Sequence, residues 1–475
     1  IIPLPVIMFN LEPLSPQKWR IKKSGPMQAE VIIYASEKLL KPIQEDRSLE
    51  QLVAAACLPE VISPVLGMPD IHEGFGLPIG GVMATNNLVS AGAVGMDINC
   101  GVRLLLSHQA YDEKVFTPSL LRQLIEKISQ LVPLGLGGQH QKRRLDLPLE
   151  KVCHEGLSFL LKKGLAQKDD LEKTEENGRM DKADFSALSA KAIKRAQNEL
   201  GTLGSGNHFI EIQKVDQIFD PSTAQAFGLF PNQITVMIHT GSRALGHQTC
   251  LDYTQILWRE KEKYQLAIPN QGLAALPITT PEGERYFGAM AACVNFAFAN
   301  RQAITHFVRQ AWRETFGNND PLTLLYDVAH NIAKWENHFD QKVLVHRKGA
   351  TRALPANHPQ NPPCFAKTGH PALIPGSMGT ASYIVVGTAK NKETFHSVNH
   401  GAGRLMSRRA AQRNISFSQF EKSMGEIIYN LPFHKVADEA PGAYKDIEEV
   451  VEVLVKEGLT EKVARLKPLA VIKGV

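Results

Sequence analysis

At 475 residues, with 43% hydrophobic and 21% charged side chains, the chain has the composition of an ordinary soluble globular protein with room for a large core or two or three domains. A formal net charge of +5, from 53 Lys and Arg against 48 Asp and Glu, permits an RNA or nucleotide partner without arguing for one, so any basic surface has to be local. No apolar run reaches the roughly 18 residues of a membrane span, and six scattered cysteines without a C-x-x-C pair suggest neither a zinc ribbon nor a disulfide framework but a reducing, cytoplasmic setting.

The opening IIPLPVIMF is apolar but short, with no basic residue before it, and reads poorly as a signal peptide; Met8 is the expected start. Residues 10–66 predict a mixed entry segment, with a strand at 31–35 and a helix over 49–57 ahead of Pro59. The stretch from Gly67 to Arg103, GMPDIHEGFGLPIGGVMATNNLVSAGAVGMDINCGVR, is broken repeatedly by glycine, the residue suited to tight turns and close backbone approach. Short apolar runs bounded by glycine predict buried strands at 80–84 and 101–106. Helical spacing over 117–131, with Pro118 in the first turn, predicts a helix.

Residues 139–199 shift in composition and predict a charged, helix-rich insertion forming a solvated surface, whose basic end, Lys142 to Arg144, can touch RNA phosphates. A tight glycine loop then leads into a strand at 209–212, and a second strand at 235–240 leads into a polar loop with His239 at its exit. The proline-free stretch from Pro281 to Asn319 predicts one or two long amphipathic core helices with their aromatic residues buried. Residues 324–334 carry His330 and Asn331, residues 354–376 form an extended connection, and 382–387 predict a strand. A glycine loop at 397–409 is expected to open a helix, another helix lies near 446–458, and LysProLeuAlaValIleLysGlyVal closes the chain as a tail.

Asp97 and Cys100 stand three residues apart on a glycine-shaped loop, and a carboxylate and a thiol at that spacing can reach one metal ion. The bland alternative is a buried cysteine beside a turn-forming aspartate. Four of the 16 histidines share a setting where a strand or apolar run meets Gly or Asn: His208 in GSGNHF, His239 in IHTGSR, His330 in DVAHNI and His400 in NHGAGR. One thiolate, one carboxylate and three imidazoles can hold two divalent metals, with the sulfur between them; ligand softness alone favours zinc or cobalt over manganese. The His400 loop, with glycines before an expected helix start and arginines in the next turns, suits a phosphate, and a histidine there can attack phosphorus. The alternative is a glycine-rich cap on a solvated basic helix. No Walker-type loop, H-E-x-x-H or Lys-x-Asp-Gly motif is present, so a covalently held nucleotide would sit on histidine.

Taken together, DIHEGFGLPIGG, GAVGMDINCGVR, GSGNHFIE, HTGSR, AHN, PGSM, NHGAGR and the C-terminal AVIKG closely resemble the RtcB family of RNA ligases, also called tRNA-splicing ligases, over nearly the whole chain. The resemblance implies a single catalytic domain over 1–475, of class α+β, with central β-sheets flanked by helices and the active site in a central cleft. It implies joining of an RNA 3′-phosphate or 2′,3′-cyclic phosphate end, as on tRNA halves, to a 5′-hydroxyl end in tRNA splicing or RNA repair. Two manganese ions and GTP are the implied cofactors. Asp97, Cys100 and His208 match ligands of one metal, Cys100, His239 and His330 those of the second, and His400 the residue that becomes guanylylated. Asn207, His208, Phe209, Ile210, Glu211, His330, Asn331, Pro375, Gly376, Ser377, Met378, Ser382, Gly401, Ala402, Gly403, Tyr444 and Lys473 match guanylate-binding positions, together with His400. Arg195, Arg243, Arg347, Arg404 and Arg408 are expected phosphate contacts. A monomer without a membrane anchor is expected, with an archease-type activator as a candidate partner. Two alternatives stay open: a two-metal RNA-end phosphodiesterase or phosphatase, which needs no guanylate pocket, and a non-catalytic RNA-end-binding paralogue, against which the complete ligand set argues.

Overall fold

Two large mixed sheets, of seven and eight strands, frame the computed structural model of the chain, which describes residues 9–135 and 145–474. The basic Lys142–Arg144 and the apolar start through Met8 lie outside the described residues. The first sheet orders its strands Glu12–Ser15, Lys18–Ile21, Val31–Tyr34, Val61–His72, Ile79–Thr85, Gln341–Lys348 and Asn331–His338. The second runs Thr323–Ala329, Gly101–Ala110, Gln233–Thr240, Phe209–Ile218, Thr460–Lys473, Ser382–Gly387 and Ala372–Ile374, with Ile428–Tyr429 added in parallel to the 460–473 strand. The predicted buried strands are therefore central ones, and their continuous apolar runs follow from burial on both faces. All six cysteines are free, and among the described residues no helix is long and apolar enough to cross a membrane.

The C-terminal tail is a correction. Thr460–Lys473 is a 14-residue strand in the middle of the second sheet, pairing with Phe209–Ile218 on one side and Ser382–Gly387 on the other. Pro468 argues against a central strand because it cannot donate to the ladder. It sits where the register shifts, between Pro468 and Ala470, so the missing N–H falls at an irregularity.

The long helix Pro281–Phe316 begins as expected, with Thr280 accepting a hydrogen bond from the Gly283 amide and proline in the first turn. It is a single helix, but its middle is not amphipathic. Every residue from Tyr286 to Thr305 is buried, so polar residues lie inside with the apolar ones. Those polar residues tie down loops. The Asn300 amide receives the Gly201 and Thr202 N–H groups and donates to Thr202 and Gly241 carbonyls.

The 145–199 segment is helix-rich, as expected, but its charges are not all solvated. Asp170 is buried and takes Arg309 of the long helix in a bidentate pair, at 2.7 Å for each oxygen. Glu175 is buried against Lys334 at 2.5 Å and accepts the Ala329 amide at 2.8 Å. Buried carboxylates are tolerated because each is fully paired.

Candidate active site

Adjacent strands bring the four dispersed motifs to one end of the second sheet. Gly101 lies opposite both Thr240 and Ala329, while His239 lies opposite Val102 and Phe209. Cys100, His208, His239 and His330 each sit on or beside those strand ends, so cross-strand register closes sequence gaps of more than a hundred residues. Short hydrogen bonds set the loops: Cys100 N–H to the Asp97 carbonyl (2.9 Å), Asn99 N–H to the Asn331 carbonyl (2.7 Å) and His330 N–H to the Cys100 carbonyl (2.9 Å).

Underneath lies a group that the sequence reading missed. Arg301, fully buried on the long helix, donates to the Asn99 carbonyl (2.7 Å) and the Thr240 carbonyl (2.9 Å) and pairs with Asp327. One guanidinium thus links the residue before Cys100 to the residue after His239. Its only signal was the polar triplet Asn300-Arg301-Gln302 inside an otherwise apolar helix.

The ligating atoms converge. Cys100 Sγ is 3.5 Å from His208 Nε2 and 3.3 Å from His239 Nε2. His239 Nε2 is 3.3 Å from His330 Nε2, and His208 Nε2 is 2.8 Å from Asp97 Oδ2. Two groups suited to a metal ion result, Asp97/Cys100/His208 and Cys100/His239/His330, sharing the thiol. The Nδ1 of His208 faces the Leu203 carbonyl at 3.0 Å and that of His239 the Asn207 carbonyl at 3.2 Å. Each carbonyl demands Nδ1–H, which leaves the Nε2 lone pair turned to the cluster.

The electrostatics fit a cation. Burial, together with the neighbouring histidines, holds His239 and His330 well below the usual imidazole range. Burial, then Asp97, pushes the Cys100 thiol well up. Burial would raise Asp97 too, but His208 and Arg243 outweigh it and bring its pKa to about 2. Two imidazoles held neutral, a carboxylate held ionised and a buried sulfur, all within a few ångströms, make a donor set suited to a cation.

His400 stands beside this cluster, its ring 4.9 Å from that of His330. Its Nδ1 lies 2.6 Å from Asp70 Oδ2, which also accepts the His400 and Gly401 amides at 2.9 and 3.2 Å. Asp70 is fully buried and was not singled out from DIHEGF. It orients the ring through Nδ1, and Nε2 has no hydrogen-bond partner among the described residues, as an orienting carboxylate arranges for a nucleophilic or ligating histidine. Gly403, at φ 74°, passes so close that an added Cβ would lie 2.1 Å from the Asp70 carbonyl.

A cavity of about 360 Å³ opens on His400, within the size range of small-molecule sites. Asp97, Cys100, His239 and His330 line it, as do Asn207, Phe209, Asn331, Pro375 to Met378, His400 to Gly403, Tyr444 and Lys473. The Asn331 amide is already used at both ends, by the Asp97 carbonyl and the Gly349 N–H. His208, Ile210, Glu211 and Ser382 stand behind the lining. The Ile210 side chain is buried in an apolar cluster with Leu105, Val236 and Ile472. Gln213 links Glu211 (2.6 Å) to Ser382 (3.1 Å), and burial raises the Glu211 pKa to about 8. Glu439, also missed, is buried in the lining and collects Lys473 (3.3 Å), Tyr444 (2.5 Å) and Arg404 (3.2 Å).

The five arginines divide. Arg404 and Arg408 line the cavity. Arg243 lies behind Asp97, paired with Glu199 at 3.1 Å, and Arg195 is exposed outside the lining, bonded to Gln248. Arg347 is a correction: it is fully buried, clamped on Glu336 at 2.5 and 2.9 Å and on Ser397 at 2.8 Å, with no donor turned to the cavity. The expected helix start after His400 is a second correction. The helix runs Arg408–Asn414 with Ser407 as its own cap, so it does not present its end to the His400 loop.

Comparison with known proteins agrees with the motifs. A family model described as tRNA-splicing ligase RtcB matches residues 51–474. The chain is 42% identical to the tRNA-splicing ligase RtcB of Thermococcus kodakarensis over 98% of this chain and 99% of that one. It is 44% identical to the protein of the same name from Nanoarchaeum equitans, over 96% of this chain and 98% of that one. The RNA-splicing ligase RtcB of Mycobacterium tuberculosis is 42% identical, over 89% of this chain and all of its own length.

Proposed function

The chain belongs to the RtcB family, and we propose that it is a GTP- and manganese-dependent RNA ligase that joins a 3′-phosphate or 2′,3′-cyclic phosphate end to a 5′-hydroxyl end. The observation that carries this reading is His400, held by Asp70 through Nδ1, at the edge of two ligand groups that share Cys100. Asp97, Cys100 and His208 would hold one manganese ion and Cys100, His239 and His330 the other. Bound there, the ions supply positive charge for phosphate oxygens and for the departing pyrophosphate.

The chain's own groups then do the following. His400 Nε2 gives its lone pair to the α-phosphorus of GTP, and the bond from that phosphorus to pyrophosphate breaks. Asp70 keeps the proton on Nδ1 and balances the positive charge that grows on the ring. A cyclic phosphate end is first opened by water to a 3′-phosphate. An oxygen of that 3′-phosphate displaces His400 from the guanylate, giving an RNA-(3′)pp(5′)G end. The 5′-hydroxyl attacks the RNA phosphorus, its proton goes to solvent, and GMP leaves. Pro375 to Met378, Gly401 to Gly403, Tyr444 and Lys473 line the space for the guanylate; Glu211 and Ser382 back it, and Arg404 and Arg408 offer charge to phosphates. Holding two RNA ends and a nucleotide together makes positioning a large share of the rate. The setting is cytoplasmic, the chain a monomer, the substrates tRNA halves or broken RNA, with an archease-type activator as a partner.

The test is an RNA sealing assay with a 3′-phosphate strand and a 5′-hydroxyl strand. Sealing that requires both GTP and manganese is expected. Release of inorganic phosphate without sealing, independent of GTP, would instead favour a two-metal phosphatase.

A further inference from the structure

One wall of the cavity carries none of the residues assigned to guanylate or metal. It is formed by His72, Phe75, Ile79, Met96 and Lys348. It adjoins His400: a Cβ placed on Gly349 would lie 2.4 Å from Ile79 and 3.0 Å from the His400 ring. Phe75 is 38% exposed, and of the exposed large apolar side chains among the described residues it is the one in this lining.

The exposure does not come from a loose loop. Phe75 lies in the turn between the strands Val61–His72 and Ile79–Thr85. The buried Lys348 ammonium donates to the carbonyls of Phe75 and Gly92. The Gln51 side chain bonds both the N–H and the carbonyl of Gly74. Gly76, at φ 77°, is pressed so tightly on the next turn that a Cβ would lie 2.1 Å from the Gly272 carbonyl. An aromatic side chain exposed in the cavity lining thus rises from an anchored backbone, which suits a stacking platform with little ordering cost.

We propose that Phe75 is the base-stacking subsite for the terminal nucleotide of the RNA strand that bears the 3′-phosphate. This inference rests on the ligase reading above. A 3′-phosphate reaching His400 along this wall brings its own base over the wall, and an aromatic face accepts any of the four bases. Phe75 thus contributes affinity for the RNA end without reading its sequence.

The experiment is single-turnover transfer of guanylate from the preloaded protein to an RNA 3′-phosphate, with RNA concentration varied. Phe75→Ala should raise the RNA concentration for half-maximal transfer by about tenfold, the scale of one base stack, and keep the rate at saturating RNA. Phe75→Trp should restore affinity and Phe75→Leu should not. An RNA whose terminal nucleotide is abasic should bind the parent and Phe75→Ala equally. Unchanged RNA affinity in Phe75→Ala, or an effect confined to the later attack by the 5′-hydroxyl strand, overturns the proposal. Failure of the parent to become guanylylated is the separate result that would sink the ligase reading.

Discussion

Two clusters of histidines stand out among the described residues, and of these two one has the form of a metal centre. In the first, the Nε2 atoms of His208, His239 and His330 meet around Cys100 within 3.5 Å of a neighbour, while backbone carbonyls occupy the Nδ1 atoms of His208 and His239. In the second, the His396 ring lies tilted against His338 and edge-on to His358, at centroid distances of 5.3 and 4.9 Å. There His338 Nε2 meets Glu336 at 2.8 Å, His396 Nδ1 meets Asn391 at 2.6 Å, and Arg347 closes Glu336 from the other side. The second cluster satisfies itself internally. The first turns its lone pairs to a common centre. The density of histidines is alike; the direction of the lone pairs differs, and that direction is what a cation needs.

The largest expected break of this contrast is Cys100→Ser. Losing the shared sulfur should remove metal, measured by elemental analysis of the purified protein, and abolish guanylylation with it; retention of two metals and activity would refute the shared role. Asp70→Asn comes next. It should leave metal content intact and slow guanylylation by about 10²-fold or more in a quenched time course, because the His400 ring loses the partner that sets its tautomer; an unchanged rate would remove Asp70 from the account.

Arg301→Lys tests the support beneath the first cluster. Keeping the charge but losing the fork should weaken metal binding by roughly 10- to 100-fold, as loss of a group that orients ligands does, read by competition with a chelator, with thermal unfolding as the control for folding. Unchanged metal affinity in a folded variant would make Arg301 a packing residue only. His338→Gln is expected to have the smallest effect. It should cost about 1–3 kcal/mol of stability by unbalancing the buried Glu336 and leave metal content and guanylylation as they were. Loss of metal there would erase the distinction between the clusters.

Much of this was legible in the sequence. The helix starts at Thr117-Pro118 and Thr280-Pro281 carry their caps in the residue types, and glycine-bounded apolar runs became the central strands. The candidate ligands were legible as chemistry, since a thiol, a carboxylate and histidines on glycine loops are few in kind. Their convergence was not, because it depends on pairing between strands far apart in sequence. Asp70, Glu439 and Arg301 act by where they point, and spacing does not encode that. Arg347 shows the reverse error. A basic residue near a motif reads as a phosphate contact, yet its register opposite Ile332 turns it inward to Glu336. The closing strand was read as a tail because its central place comes from pairing with 209–218 and 382–387, and Pro468 is accommodated there at a register shift.

The most direct measurement is incubation of the purified protein with GTP labelled at the α-phosphate and manganese, followed by a search for label on the chain. The account predicts label that resists base, is released by acid, requires manganese, and is absent from His400→Ala even though that variant keeps its metals. Absence of label on the parent under any metal, or label that persists in His400→Ala, would contradict it.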